Sequence, residues 1–103
     1  MNPRWDESEF VFGDLQAVAQ FIHNNNPFAA RLFLEAAYDT FEFLASNPGV
    51  GRPRADLGFP EVRMWHVAGF NRYLIFYREQ SDRIQIWRVL HGSRDLPRIL
   101  GNK

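Results

Sequence analysis

Residues 70–100 hold the feature that most limits what this chain can fold into. Two runs dense in aromatic and β-branched side chains, residues 72–79 and 83–90, flank the polar Gln80, Ser81 and Asp82. Such side chains pack well on a pleated surface, and two such runs around a short polar joint specify a β-hairpin. Successive side chains of a strand point to opposite faces. Here Tyr73, Ile75 and Tyr77 alternate with Leu74 and Phe76, while Ile84, Ile86 and Leu90 alternate with Trp87 and Val89. Both faces are therefore apolar, and a strand that is apolar on both faces needs a cover on each. What the rest of the chain supplies as cover decides the architecture.

Two amphipathic helices precede the hairpin. Val11, Leu15, Val18, Ala19 and Ile22 recur at helical spacing, with Ser8 as the expected N-cap and Glu9 in the first turn. Asn24, Asn25, Asn26 and Pro27 then end one helix and open the next, because proline disfavours helical geometry before it and suits the first helical turn. From Pro27 to Ser46 the stripe is Ala30, Phe33, Ala37, Phe41 and Leu44, with Asn26 as N-cap and Asn47-Pro48-Gly49 as the stop. A joint this short predicts an antiparallel helical hairpin.

The remaining segments complete an α+β order of β-α-α-β-β-β over a single domain, residues 1–103. Residues 2–7 are expected to form at most a weak edge strand, since Pro3 cannot donate to a ladder. Residues 49–60 are a connector rich in glycine and proline, expected as a solvated loop carrying Arg52 and Arg54. Residues 62–67 read as a strand, residues 68–71 as the turn into the hairpin, and residues 95–100 as one short helical turn. The architecture expected is a helical hairpin on one face of a small, mostly antiparallel sheet.

Composition narrows the function classes. The chain has no cysteine, so neither disulfides nor thiolate metal sites are available. No apolar leader follows Met1 and no run approaches the roughly twenty apolar residues of a membrane span, so a cytoplasmic protein with no membrane role is expected. Net charge is zero but unevenly placed: residues 1–50 carry two arginines against seven acids, and residues 51–103 ten basic groups against five acids. His23, His66 and His91 have no ligand-like spacing, no nucleophile elbow surrounds Ser81 or Ser93, and no glycine-rich phosphate loop precedes a helix. Neither a cofactor nor a metal is expected. The one concentration of charged and hydrogen-bonding groups is Tyr77, Arg78, Arg88, His91, Arg94 and Asp95, near the end of the sheet.

Five segments in register resemble the ParE toxins of bacterial toxin–antitoxin modules, within the RelE/ParE superfamily. They are Asp14-Leu15, the run from Asn26 to Arg31, the run from Leu44 to Pro53, the run from Tyr73 to Arg78, and the run from Arg88 to Leu96. The resemblance implies a helical hairpin on a small sheet. It also implies a toxin that inhibits DNA gyrase and blocks replication, and that is held inactive by a cognate, ParD-like antitoxin in a complex open to higher-order assembly.

The superfamily also contains RelE-like, ribosome-dependent messenger RNA nucleases. RNA cleavage needs cations for the phosphate and acid–base groups to move the 2′-OH proton. Where those enzymes carry an arginine within the third strand, the alignment of Tyr73 to Tyr77 places Leu74, and no tyrosine follows Tyr77. A toxin that acts by binding is therefore expected, with Arg78, Arg88, His91, Arg94 and Arg98 as the target contact. In the nuclease alternative His91 and Arg94 are the catalytic pair, and a third alternative is a non-toxic interaction module of the same fold. Because two helices cover only one sheet face, Leu74, Phe76 and Ile86 are expected on an uncovered face that the antitoxin fills.

Overall fold

The computed structural model describes residues 4–101 and carries the two helices where the apolar periodicity sets them. A short strand β1 (Trp5–Glu7) leads into α1 (Val11–Asn25) and α2 (Pro27–Ser46). Asn26 caps α2, its side-chain oxygen accepting from the Ala29 N–H at 3.2 Å, and Pro27 opens the first turn. Ser8 is not the cap of α1. Helical geometry begins at Val11, and the Ser8 hydroxyl instead donates to the Trp87 carbonyl at 2.6 Å while accepting from the Phe10 N–H, which ties the entry to α1 onto the sheet.

The other strands are β2 (Arg52–Pro53), β3 (Val62–Val67), β4 (Phe70–Glu79) and β5 (Ile84–His91), followed by α3 (Leu96–Gly101). They form one five-stranded sheet in the order β1-β5-β4-β3-β2. β1 runs parallel to β5, with Trp5 opposite Ile84, and every other pairing is antiparallel. Asn2 and Pro3, the first residues of the expected N-terminal strand, lie outside the described residues. Gly69, at φ 79°, takes the left-handed position in the turn from β3 to β4 that a side chain would resist.

The connector is not a plain solvated loop. It contains two single 3₁₀ turns, Pro48–Val50 and Ala55–Leu57, and between them the two residues of β2 pair with Met64 and Arg63. Its anchor is Tyr77, whose hydroxyl donates to the Pro48 carbonyl and accepts from the Gly51 N–H, both at 2.8 Å. A Cβ on Gly51 would collide with the Tyr77 ring and hydroxyl, so the residue must be glycine for the connector to lie this close. Arg63 accompanies it, donating to the Gly51 carbonyl at 2.7 Å. Arg54 is bound to Asp56 through two contacts of 2.9 Å, and Arg52 is exposed.

Each sheet face has its own core. Against the helical hairpin, Val11, Leu15, Phe33 and Phe41 pack on Ile75, Tyr77, Ile84, Ile86 and Val89. On the other face, Phe76, Leu90 and Val62 pack under Leu96 and Leu100 of α3 and Leu57 of the connector, with Trp87 and Phe59 beside them. The expectation of an uncovered second face is thus corrected: the chain folds its own tail and connector across it. Phe76 and Ile86 are fully buried and Leu74 is half-buried, so the three do not form a free surface.

Ile86 also lies on the other face from that expected. Tyr77 pairs with Ile86 and Phe76 with Arg88, which leaves Trp87 as an extra residue in β5. A β-bulge of this kind interrupts the two-residue alternation. Ile84 and Ile86 therefore join Val89 against the helices, while Trp87 joins Leu90 on the α3 side.

Candidate target-binding site

The polar groups at the end of β5 are placed by the way that strand stops. The Gly92 N–H donates to the Arg72 carbonyl at 2.8 Å, closing the ladder between β4 and β5. The chain then turns, the Arg94 N–H donating to the His91 carbonyl at 3.0 Å and the Ser93 N–H to His91 Nδ1 at 3.0 Å. Because Nδ1 accepts, the neutral ring carries its proton on Nε2 and presents a donor there. The imidazole sits edge-on to Tyr73, with centroids 4.9 Å apart, and Tyr73 packs edge-on to the buried Phe33 at 5.3 Å. His91 is thus held by the core, while Arg94 is exposed.

Arg88 is fixed in a different way. Its guanidinium donates to both carboxylate oxygens of Asp14, from Nε at 2.8 Å and from Nη2 at 2.9 Å. Asp14 also accepts the Val89 N–H at 3.0 Å, so one carboxylate binds α1 to the bulged part of β5. The two side chains are 17% and 10% exposed, and the Arg88 guanidinium lies 4.6 Å above the Phe10 ring. The charge of Arg88 is therefore matched within the chain.

His91 and Arg94 line a cleft of about 480 Å³ between α1 and the ends of β4 and β5. Ala17, Val18 and Phe21 form its α1 wall, Tyr73 and Val89 its sheet wall, and Asp14 reaches its edge. Phe21 is 64% exposed. An apolar cleft with one matched ion pair and one free guanidinium can hold an apolar group joined to an anion. Arg94 is the one arginine or lysine among the residues that line it.

Of the five residues expected to contact a target, His91 and Arg94 line this cleft, and Arg88 is joined to its border only through Asp14. Arg78 does not line it. It stacks 5.0 Å above Trp87 and lies 3.7 Å from Glu61, five positions along β4 from Tyr73, or roughly 17 Å away. Arg98 is an exposed residue of α3, on the opposite sheet face. Sequence reasoning missed Asp14 as the partner of Arg88, and Phe21 and Tyr73 as walls. Phe21 stood off the apolar stripe of its helix, which is the pattern of a side chain left for something other than the core. No group of three or more His, Cys, Asp or Glu side chains among the described residues is placed to hold a metal ion.

Comparisons with known proteins agree with this architecture. The family model described as the ParE toxin of the type II toxin–antitoxin system, parDE, matches residues 11–96. Toxin ParE3 of Caulobacter vibrioides is 32% identical over 94 residues, covering 90% of each chain. A chain of the chromosomal ParDE toxin–antitoxin system of P. aeruginosa superposes with a TM-score of 0.72 at 21% identity, over 86% of this chain and 95% of that one, and so shares its fold. With the helical hairpin, the five-stranded sheet and a family match running from the first residue of α1 to the first of α3, this chain belongs to the ParE toxins of type II toxin–antitoxin systems.

Proposed function

We propose that this chain arrests replication in the cytoplasm by binding DNA gyrase, without chemistry of its own, and that a cognate ParD-like antitoxin silences it. The observation that carries the choice of binding over nuclease action is the Arg88–Asp14 pair. A ribonuclease needs a free cation at the scissile phosphate, and Arg88, the one arginine of β5, the strand that ends in His91, is already bound by two hydrogen bonds to a carboxylate. Leu74, at the position where related nucleases place an arginine, belongs to the core under α3. Membership of the ParE family supports gyrase over the ribosome as target.

The surface left for an antitoxin is on the helices. Phe12 and Phe28 are each 69% exposed, and Leu32, Tyr38 and Phe43 about half so. A shallow groove of about 520 Å³ between α1 and α2, with Phe12, Leu34 and Tyr38 among its walls, runs along the outside of the hairpin. Exposed aromatic area of this kind is usual where a partner docks. An amphipathic antitoxin segment in that groove would cover it.

The test is induced expression with DNA and protein synthesis followed in parallel. DNA synthesis is expected to stop first, and co-expression of the antitoxin to restore it. Translation stopping first, with cleaved messages that become intact in His91→Ala, would replace this proposal with the nuclease alternative. Harmless expression of the folded chain would replace it with the non-toxic interaction module.

A further inference from the structure

We infer that the cleft between α1 and the ends of β4 and β5 receives an acidic polypeptide segment of the target, one that places a carboxylate on Arg94 and His91 and an adjacent apolar side chain between Phe21 and Tyr73. This rests on the proposal that the protein acts by binding, and it adds the chemistry of what is bound. Three features of the cleft select such a ligand. Its walls are apolar on both sides, Val18 and Phe21 facing Tyr73 and Val89, and Phe21 is 64% exposed among the described residues. At one end stand the exposed Arg94, which makes no ion pair among the described residues, and His91, whose Nε2 is left as a donor when Nδ1 accepts from Ser93. An apolar slot ending in a guanidinium complements one carboxylate beside one hydrophobic residue.

The third feature is the charge that the cleft lacks, and it separates a peptide from a nucleic acid. Binding a phosphate backbone draws on several cations that each neutralise a phosphate. Here Arg88 is matched by Asp14, and that carboxylate itself borders the cleft. Arg78 lies on the other sheet face beside Glu61 and Trp87, and cannot add to the same surface. With Arg88 and Asp14 cancelling, Arg94 leaves these three groups a net charge of one, which a single carboxylate can match and which is too little to hold a run of phosphates. Asp14 and Arg88 are then positioning residues, holding α1 against β5 so that Phe21 faces Tyr73 across the slot.

Titrating the isotope-labelled chain with two probes tests this. One is a short capped peptide of alternating aspartate, phenylalanine and leucine, and the other a short DNA duplex. The peptide is expected to move the resonances of Phe21, Tyr73, His91 and Arg94 while leaving α3 unchanged. Its affinity should fall roughly tenfold in Arg94→Ala, the loss of one charge-assisted hydrogen bond, and similarly in Phe21→Ser. Both substituted side chains are exposed, so the variants fold, which the unchanged remainder of the spectrum verifies. Replacing the aspartates of the peptide by lysine should abolish binding. The inference is overturned if the duplex moves the cleft resonances at lower concentration than the peptide does, or if the peptide leaves them unmoved.

Gyrase supercoiling measured on the same proteins separates this inference from the function proposed above. Full gyrase inhibition by both Phe21→Ser and Arg94→Ala would overturn the cleft as target site while the gyrase proposal stands. Peptide binding in the cleft by a chain that leaves gyrase untouched would support an acidic peptide ligand and reject gyrase as its source.

Discussion

Asp14→Ala is the substitution whose consequence follows most directly from the geometry. The carboxylate accepts three hydrogen bonds, two from Arg88 and one from the Val89 N–H, at 2.8 to 3.0 Å. Removing it leaves a mostly buried guanidinium and a backbone donor without partners. Breaking one side of a buried ion pair costs about 3–5 kcal/mol. Arg88 keeps some access to water past Phe10, which is 44% exposed, so the expected loss lies lower, at about 2–3 kcal/mol. For a domain near this size that lowers the melting temperature by roughly 10–20 °C. Urea unfolding of Asp14→Ala, Arg88→Ala and the double variant gives the coupling, expected at about 1–3 kcal/mol. Asp14→Asn, which keeps one acceptor oxygen for Val89, should fall between Asp14→Ala and the parent. A loss below about 0.5 kcal/mol in Asp14→Ala, the scale of an ordinary surface change, would refute the idea that this carboxylate staples α1 to the sheet.

Three further outcomes follow from the same structure. Tyr77→Phe leaves the buried Gly51 N–H without its acceptor and should cost about 1–3 kcal/mol in urea unfolding, and a loss within 0.5 kcal/mol, roughly surface scale, would contradict the anchoring of the connector. Burial raises the Tyr77 hydroxyl above its ordinary pKa of 10.0, with donation from Gly51 and the nearby Arg63 opposing it in part. The unfolded chain therefore ionises first, and the Tyr77 contribution, complete below about pH 10, is lost as pH rises further, a limb that Tyr77→Phe should flatten. Leu100→Ala, at 4% exposure on the sheet-facing side of α3, should cost about 2 kcal/mol by unfolding and increase dye binding to the sheet face it covers. Phe12→Ser with Phe28→Ser should leave stability within about 0.5 kcal/mol but weaken antitoxin binding at least tenfold by calorimetry, and unchanged affinity would remove the helical groove as the antitoxin site.

Where local chemistry decides the structure, it could be read in advance. Asn26 and Pro27 fix the start of α2 whatever packs on it, and the spacing of Phe33, Ala37, Phe41 and Leu44 fixes the buried stripe. The paired aromatic runs specified β4 and β5. What was not legible came from contacts distant in sequence. The bulge at Trp87 has no marker of its own in β5, and by breaking the alternation it moved Ile86 to the other face. The cover over Phe76 and Leu90 comes from two short segments, the connector and α3, that are too brief to show an amphipathic period. Their short apolar sets, Leu57 with Phe59 and Leu96 with Leu100, make sense only once both meet on the same sheet. The concentration of polar groups around His91 was visible, but Arg78 belonged to the same sequence cluster and a different face, because strand neighbours diverge in space. Asp14 could be found only by folding α1 onto β5, across 74 residues.

Supercoiling of relaxed plasmid by purified gyrase, with the purified chain added before ATP, tests the central claim most directly. The account predicts that the chain blocks supercoiling in proportion to its concentration, that Arg94→Ala with Phe21→Ser restores it, and that the cognate antitoxin restores it at equal stoichiometry. Gyrase that supercoils at its normal rate with the folded chain in excess, while the same preparation cleaves ribosome-bound message, would contradict it.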